Sequence, residues 1–187
     1  EREELRDQPE LQATLREQLA QIRQRLEREL GRARLAGEAL PGAYFDCAAE
    51  LPGLFSTLGM IHSHGLKLEW QAEPGLCLPW DREDLLELLG NLLDNACKWA
   101  DAEVRLSLVQ EGEGYRLWVD DDGPGIAAER REAVLGRGTR LDDEQVAGHG
   151  LGLGIVRDMV EAWGGSLSLE DSPLGGLRIA ISLPGRR

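Results

Sequence analysis

The chain is poor in the residues that most often announce chemistry. Its three cysteines, Cys47, Cys77 and Cys97, are odd in number, scattered and without C-x-x-C spacing. That argues against a disulfide framework or a zinc site, and leaves reduced, partly buried thiols of a cytoplasmic protein as the expectation. The three histidines form no metal constellation either: His62 and His64 are close neighbours and His149 stands far along the chain. No apolar run approaches the roughly 20 residues of a membrane span, and no signal peptide is visible. Positive charge is scarce, with 21 Lys and Arg against 34 Asp and Glu for a net charge of -13. This balance argues against binding to nucleic acid or anionic lipid, and means that any phosphate site must be built locally. The P-loop pattern G-x-x-x-x-G-K-[ST] is missing, which argues against that class of ATPase.

What is present suffices for a globular domain with a core and a small appendage: 187 residues, 42% of them hydrophobic. From Pro9 to about residue 36, apolar Leu11, Leu15, Leu19, Ile22, Leu26, Leu30 and Ala33 recur at steps of three and four. That spacing predicts one long helix with a narrow apolar stripe, which needs a partner helix to be covered; a solvated spacer is the bland alternative. Leu40-Pro41-Gly42 reads as a hinge into the compact domain. Helical spacing resumes from Phe45 to about His64. Lys67–Gln71 and Leu76–Trp80 read as short strands joined by Glu73-Pro74-Gly75, a plausible hairpin. Asp81 is placed to cap a helix running to about Ala100. Glu103–Val109 and Tyr115–Val119 alternate as strands around Glu111-Gly112-Glu113-Gly114, a second hairpin. A short helix is expected at about 127–135, another from the 148–154 glycines to Trp163, and two closing strands at Ser166–Glu170 and Leu177–Leu183. Strand pairs separated by helices predict an α/β two-layer sandwich, a mixed sheet with helices on one face.

On the helix before Ala100, Asn91, Asn95 and Lys98 fall at i, i+4 and i+7 and so share one face, with Asp94 at its edge. Leu92, Leu93 and Ala96 continue the apolar pattern of Leu85, Leu86, Leu88 and Leu89. Two carboxamides and an ammonium in a row suit a polyanion with its metal, while an ordinary polar outer face accounts for the same pattern. The glycine-rich stretches bear on that choice. Gly148, Gly150, Gly152 and Gly154 open a helix, where free backbone N–H groups and the helix dipole favour phosphate and missing side chains admit it closely. Asp121, ahead of Gly123-Pro124-Gly125, can accept a hydrogen bond from an exocyclic amino group such as that of adenine. Gly123 to Ala128 also fits G-x-G-x-x-A, but a dinucleotide fold wants that pattern inside a βαβ unit, and here the preceding strand closes a hairpin.

Three motifs in this order resemble those of the GHKL (Bergerat-fold) ATP-binding catalytic domain of bacterial two-component sensor histidine kinases. Asn91-Leu92-Leu93-Asp94-Asn95-Ala96-Cys97-Lys98 resembles the N box, Asp121-Asp122-Gly123-Pro124-Gly125-Ile126 the G1 box, and Gly148-His149-Gly150-Leu151-Gly152-Leu153 the G2 box. Gly175-Gly176 is similar to the family's C-terminal glycine motif, and the N box with its following aromatic looks most like PhoQ-type sensor kinases. The resemblance implies ATP and Mg²⁺ as ligands, with Asn95 and Asn91 on the metal and Lys98 on phosphate. It implies Asp121 on the adenine amino group, Gly123, Gly125 and Ile126 around it, and Trp99 packed near the base; a core Trp at a helix end fits Trp99 equally well. Residues 127–149 would be an ATP lid carrying Arg137 and Arg140 toward the phosphates, and Gly148, His149, Gly150, Leu151, Gly152 and Leu153 would cradle them. For His149 a solvent-facing lid position stands beside a ligand role.

The sequence departs from the family in three places. Leu135 stands where many relatives carry Phe, and Asp142, Asp143 and Glu144 put negative charge in the lid. None of the three histidines has the acidic neighbour and nearby Pro of a phosphoacceptor. The resemblance therefore implies residues 1–38 as the second helix of a dimerisation hairpin, 39–187 as the catalytic domain, and an acceptor histidine outside this sequence. The whole would be the cytoplasmic part of an inner-membrane sensor, dimeric through its helices, passing phosphate to a response regulator, with the membrane reached only through other segments. An anti-sigma-factor-type serine kinase, a hydrolase using Glu87 one turn before Asn91, and a docking module that binds no nucleotide are the alternatives.

Overall fold

A computed structural model of the chain describes residues 44–62, 65–135 and 152–185, all within the second of the chain's two units, Ala39–Arg187. The expected N-terminal helix and hinge lie outside the described residues, as do Arg137, Arg140, Gly148, His149, Gly150 and Leu151.

The chain order is β1 (Phe45–Asp46), α1 (Cys47–Ile61), β2 (Lys67–Ala72), β3 (Cys77–Leu78), α2 (Arg82–Trp99), β4 (Glu103–Glu111) and β5 (Gly114–Asp121). After these come α3 (Ala128–Leu135), α4 (Gly152–Ala162), β6 (Ser166–Asp171) and β7 (Leu177–Leu183). Five strands form one mixed sheet in the order β2-β4-β5-β7-β6. The expected hairpins β4–β5 and β6–β7 are both antiparallel, in registers running from Val104↔Asp121 to Glu111↔Gly114 and from Ser166↔Ser182 to Asp171↔Leu177. Gly112 supplies the positive φ of 63° that the first central position of the two-residue β4–β5 turn requires.

One expected hairpin does not form. Lys67–Ala72 pairs in parallel with Glu103–Leu108, while Phe45–Asp46 pairs antiparallel with Cys77–Leu78 in a separate two-stranded ribbon. The turn at Glu73-Pro74-Gly75 is real, closed by Leu76 N–H donating to Glu73 O at 3.0 Å. Burial redirects the residues after the turn: Leu78 and Trp80 are wholly inaccessible to solvent, as is Phe45, against which Leu78 pairs, so the segment joins Phe45–Asp46 instead of the five-stranded sheet. The same contacts explain why the first helix starts at Cys47 rather than Phe45. Asp46 caps it, its Oδ1 accepting from the N–H groups of Ala48 and Ala49 at 2.9 and 3.3 Å.

The core lies between one face of the sheet and α2 and α4. Val104, Leu106 and Leu108 of β4, Leu117 and Val119 of β5, and Ile179 and Ile181 of β7 alternate inward with the period of two. Against them α2 packs Leu85, Leu88, Leu89, Leu92, Leu93 and Ala96, and α4 packs Leu153, Val156 and Val160. At one end Trp80 meets Tyr115 edge-on at 5.5 Å and Trp163 at 5.4 Å between ring centroids. Asp81 caps α2 as expected, accepting from Glu83 N–H at 2.8 Å and Asp84 N–H at 3.4 Å. The apolar stripe of α2 is thus pinned to the sheet, and its opposite edge carries Asn91, Asn95 and Lys98.

Candidate functional site

On α2, Asn91 and Asn95 are half-buried and Lys98 is exposed. The Asn91 amide donates from Nδ2 to Glu87 O at 2.8 Å, which fixes the flip of the group and leaves Oδ1 as an acceptor. That oxygen faces the start of α4: a Cβ at Gly152 would lie 3.5 Å from it. The first turn of α4, whose N–H groups have no partner within the helix, therefore abuts the carboxamide face of α2. Leu153 is buried in the core, so what it can offer a ligand is its backbone N–H. The Lys98 ammonium rests on Asp94 Oδ2 at 2.5 Å, and Asp94 Oδ1 is 3.0 Å from His62 Nε2. No motif marks His62, and no local spacing could have found a contact spanning 32 positions.

The end of β5 carries three consecutive aspartates with three separate tasks. Asp120 is buried and takes a two-pronged bond from Arg178 at 2.7 and 2.9 Å, and Arg178 also lies 5.9 Å over the Trp118 ring. Asp122 gathers the backbone N–H groups of Asp101, Ala102 and Glu103 at 2.9–3.1 Å, closing the turn from α2 into β4. Desolvation pushes its pKa up, but the donors of Ala102, Glu103 and Asp101 together outweigh this and hold it below the usual carboxylate range.

Asp121, 3% exposed, uses Oδ1 for the N–H groups of Gly123 at 2.9 Å and Leu177 at 3.1 Å. Its carbonyl accepts from Gly176 N–H at 3.1 Å. Burial raises its pKa against the pull of the Leu177 and Gly123 N–H groups, with Asp122 and Asp120 adding to the rise. Three chain segments converge here without room for side chains. A Cβ on Gly123 would sit 2.2 Å from Trp99 O, and one on Gly176 would sit 2.2 Å from Asp121 Oδ1. Gly125 has a φ of 67°, which suits glycine, and faces Gly176 O. Trp99 and Ile126 are half-buried at this junction.

The structure thus joins the carboxamide face of α2 to Gly152, and Trp99 to Gly123, Asp121 and Gly176. Two arginines that no motif marks hold the next segment. Arg131 donates to Ile126 O at 2.9 Å and to Leu169 O at 3.4 Å and pairs with Asp171, while Arg157 of α4 bonds the Leu135 carbonyl. Burial pushes the Cys47 thiol up to about 12 and the Cys97 thiol up to about 11, which disfavours the thiolate at both.

The chain is similar in sequence and in fold to known proteins. The model of the family described as Histidine kinase-, DNA gyrase B-, and HSP90-like ATPase matches residues 80–187. The chain is 72% identical over 185 residues to the sensor protein kinase CarS of Pseudomonas aeruginosa, covering 98% of this chain and 41% of that protein. It is 37% identical over 164 residues to the two-component sensor PhoQ of the same organism, covering 87% of this chain and 36% of that one. The chain therefore spans about two-fifths of the curated relatives it matches. Among solved structures, the mycobacterial sensor histidine kinase MprB superposes with a TM-score of 0.66 at 28% identity, over 76% of this chain and 98% of that one. The ATP-binding domain of PrrB from Mycobacterium tuberculosis gives 0.61 at 29%, over 78% and 98%. The chain belongs to the histidine kinase-, DNA gyrase B- and HSP90-like ATPase family.

Proposed function

We propose that the domain binds Mg-ATP and presents its γ-phosphoryl group to a histidine on a dimerisation helix, for onward transfer to a response regulator. The observation that carries this is the junction at Asp121. One carboxylate oxygen is occupied by two backbone N–H groups, so the other is left to accept from the amino group of adenine. Gly123 and Gly176 let the three segments close around this carboxylate. The base would pack beside Trp99 and Ile126, and the triphosphate would run toward Lys98 and the first turn of α4 at Gly152, where N–H groups without a partner within the helix suit phosphate.

The residues present fit a magnesium ion. Asn91 Oδ1 is oriented by the bond its own amide makes to Glu87 O, and carboxamide oxygens are the hard donors that Mg²⁺ accepts. Among the described residues no group of three or more His, Cys, Asp or Glu could hold a metal. The ion would accordingly take Asn95 and Asn91 from the protein and fill its shell with phosphate oxygens and water. When bound it would offset phosphate charge, and the domain itself would orient the nucleotide and exclude alternatives, as phosphoryl transfer demands. Arg137 and Arg140, together with Gly148, His149, Gly150 and Leu151, complete the proposed phosphate side. The rest of the proposal is a dimeric inner-membrane sensor with this domain in the cytoplasm; no helix among the described residues is long and apolar enough to cross a membrane.

Incubation with γ-labelled ATP tests the reaction. The chain alone binds nucleotide but gains no acid-labile phosphate, because His62, His64 and His149 lack the acceptor context, while an added dimerisation hairpin bearing an acceptor histidine becomes labelled. Acid-labile phosphate on the chain alone would overturn this assignment.

A further inference from the structure

His62 ends α1 and is 8% exposed, its backbone N–H donating to Leu58 O at 2.8 Å. Its Nε2 lies 3.0 Å from Asp94 Oδ1. An ionised carboxylate can only accept, so Nε2 carries a proton and donates it. The second oxygen of the same carboxylate holds the Lys98 ammonium at 2.5 Å. Asp94 is therefore shared between one partner that is buried and fixed and one that is exposed and flexible, with side-chain exposures of 8% for His62 and 46% for Lys98.

The two partners are not equivalent when an anion arrives. Lys98 sits on a mobile four-carbon stem and can exchange Asp94 for phosphate. His62 cannot follow it. Once Lys98 leaves, the carboxylate keeps a hydrogen bond and stays tethered to α1. We propose that His62 is a positioning residue: through Asp94 it loosens the hold on Lys98 and so makes the ammonium available to a polyphosphate. The inference rests on the reading of this face as the phosphate side of an ATP site. Without the histidine, Asp94 is left with Lys98 as the partner in its ion pair and retains it more firmly.

The test is calorimetric titration with two ligands, a non-hydrolysable Mg-ATP analogue and adenosine, which shares the base but has no phosphate. His62→Ala lowers affinity for the analogue about three- to ten-fold, the equivalent of one hydrogen bond, and leaves adenosine unchanged. His62→Gln, which keeps an N–H donor at similar reach, recovers most of the loss. Asp94→Asn, a change at a 41% exposed side chain, releases Lys98 and raises the analogue-to-adenosine affinity ratio, and adding His62→Ala to it has no further effect. The ratio is immune to a simple loss of folded protein, which lowers both ligands alike. An unchanged ratio in His62→Ala, or in Asp94→Asn where His62→Ala does not fold, overturns the role of His62 while wild-type binding leaves the ATP site standing. Failure of the wild-type chain to bind either ligand overturns the ATP-site reading itself, and this proposal with it.

Discussion

Around Asp121 the walls of the site are backbone and a carboxylate that is 3% exposed, whereas along α2 they are side chains such as Lys98, 46% exposed. The first region owes its shape to close packing of three segments, and a single added carbon collides with a main-chain or carboxylate oxygen at 2.2 Å. The second owes its shape to the helical repeat, with the opposite stripe of the helix buried and the polar edge left to solvent. The contrast teaches how the two ends divide their work. A base of fixed shape would be met by close-packed backbone and one buried acceptor. A triphosphate with its ion would be met by side chains such as Lys98, which rests on Asp94 and is proposed to exchange it for phosphate.

Changes at the packed end should therefore cost both fold and function. Gly176→Ala drives a Cβ into Asp121 Oδ1 and the Gly123 N–H, and is expected to abolish nucleotide binding and to destabilise the domain by about 1–3 kcal/mol, as overpacking does. Gly154→Ala is the control: nothing lies within 4 Å of its Cβ position, and in the first turn of α4 it should leave stability unchanged or raise it by up to about 1 kcal/mol. Denaturant midpoints for the two variants measure the difference, and equal midpoints would erase the contrast.

A smaller effect is expected where shape is kept and only the acceptor is lost. Asp121→Asn can still accept from Gly123 and Leu177 through its carbonyl, but it turns an N–H₂ donor toward the amino group it should bind. Affinity for nucleotide should fall at least tenfold, about 1.4 kcal/mol, with the folding midpoint unchanged or slightly higher because a buried charge is gone. Adenosine titration reads this directly, since the base alone is involved.

The smallest effect separates Asp121 from its neighbour by pH. Burial raises the Asp121 pKa, so on acidification this group takes its proton before an ordinary aspartate with a pKa of about 3.9 does. Nucleotide affinity should begin to fall in that higher range, while protonation there favours rather than weakens the fold. Desolvation notwithstanding, backbone donors lower the Asp122 pKa. Its stabilising contribution is complete above the unfolded value and disappears as pH drops through the lower folded one. Asp122→Asn should flatten the stability profile below about pH 4, and Asp121→Asn should flatten the affinity profile and remove the gain in stability on acidification.

Much of this is legible in the sequence because its signals are local. Asp81 as a cap, the β4–β5 and β6–β7 hairpins, the α2 face and the spacing of Asp121 from its glycines all depend on residues a few positions apart. The parallel partner of β2 is not legible: Glu73-Pro74-Gly75 carries the signature of a hairpin turn, while the true partner begins at Glu103, 36 positions from Lys67 in sequence. The three aspartates are identical letters, and only Asp121 is marked by its spacing. Asp120 needs Arg178 from a strand 58 positions on, and Asp122 needs the turn at 101–103. His62, Arg131 and Arg157 act through contacts that only the folded chain creates.

The central claim is that the polar face of α2 holds the metal and phosphates of ATP, and Asn95 is its plainest test. Calorimetric titration of the wild-type chain and Asn95→Ala with a non-hydrolysable ATP analogue, with and without Mg²⁺, measures it. The expected result is wild-type binding that Mg²⁺ strengthens, an Asn95→Ala variant with unchanged folding midpoint that binds the analogue but no longer responds to Mg²⁺, and no loss of adenosine binding. An undiminished Mg²⁺ response in Asn95→Ala, or no binding by the wild type at millimolar analogue, would contradict it.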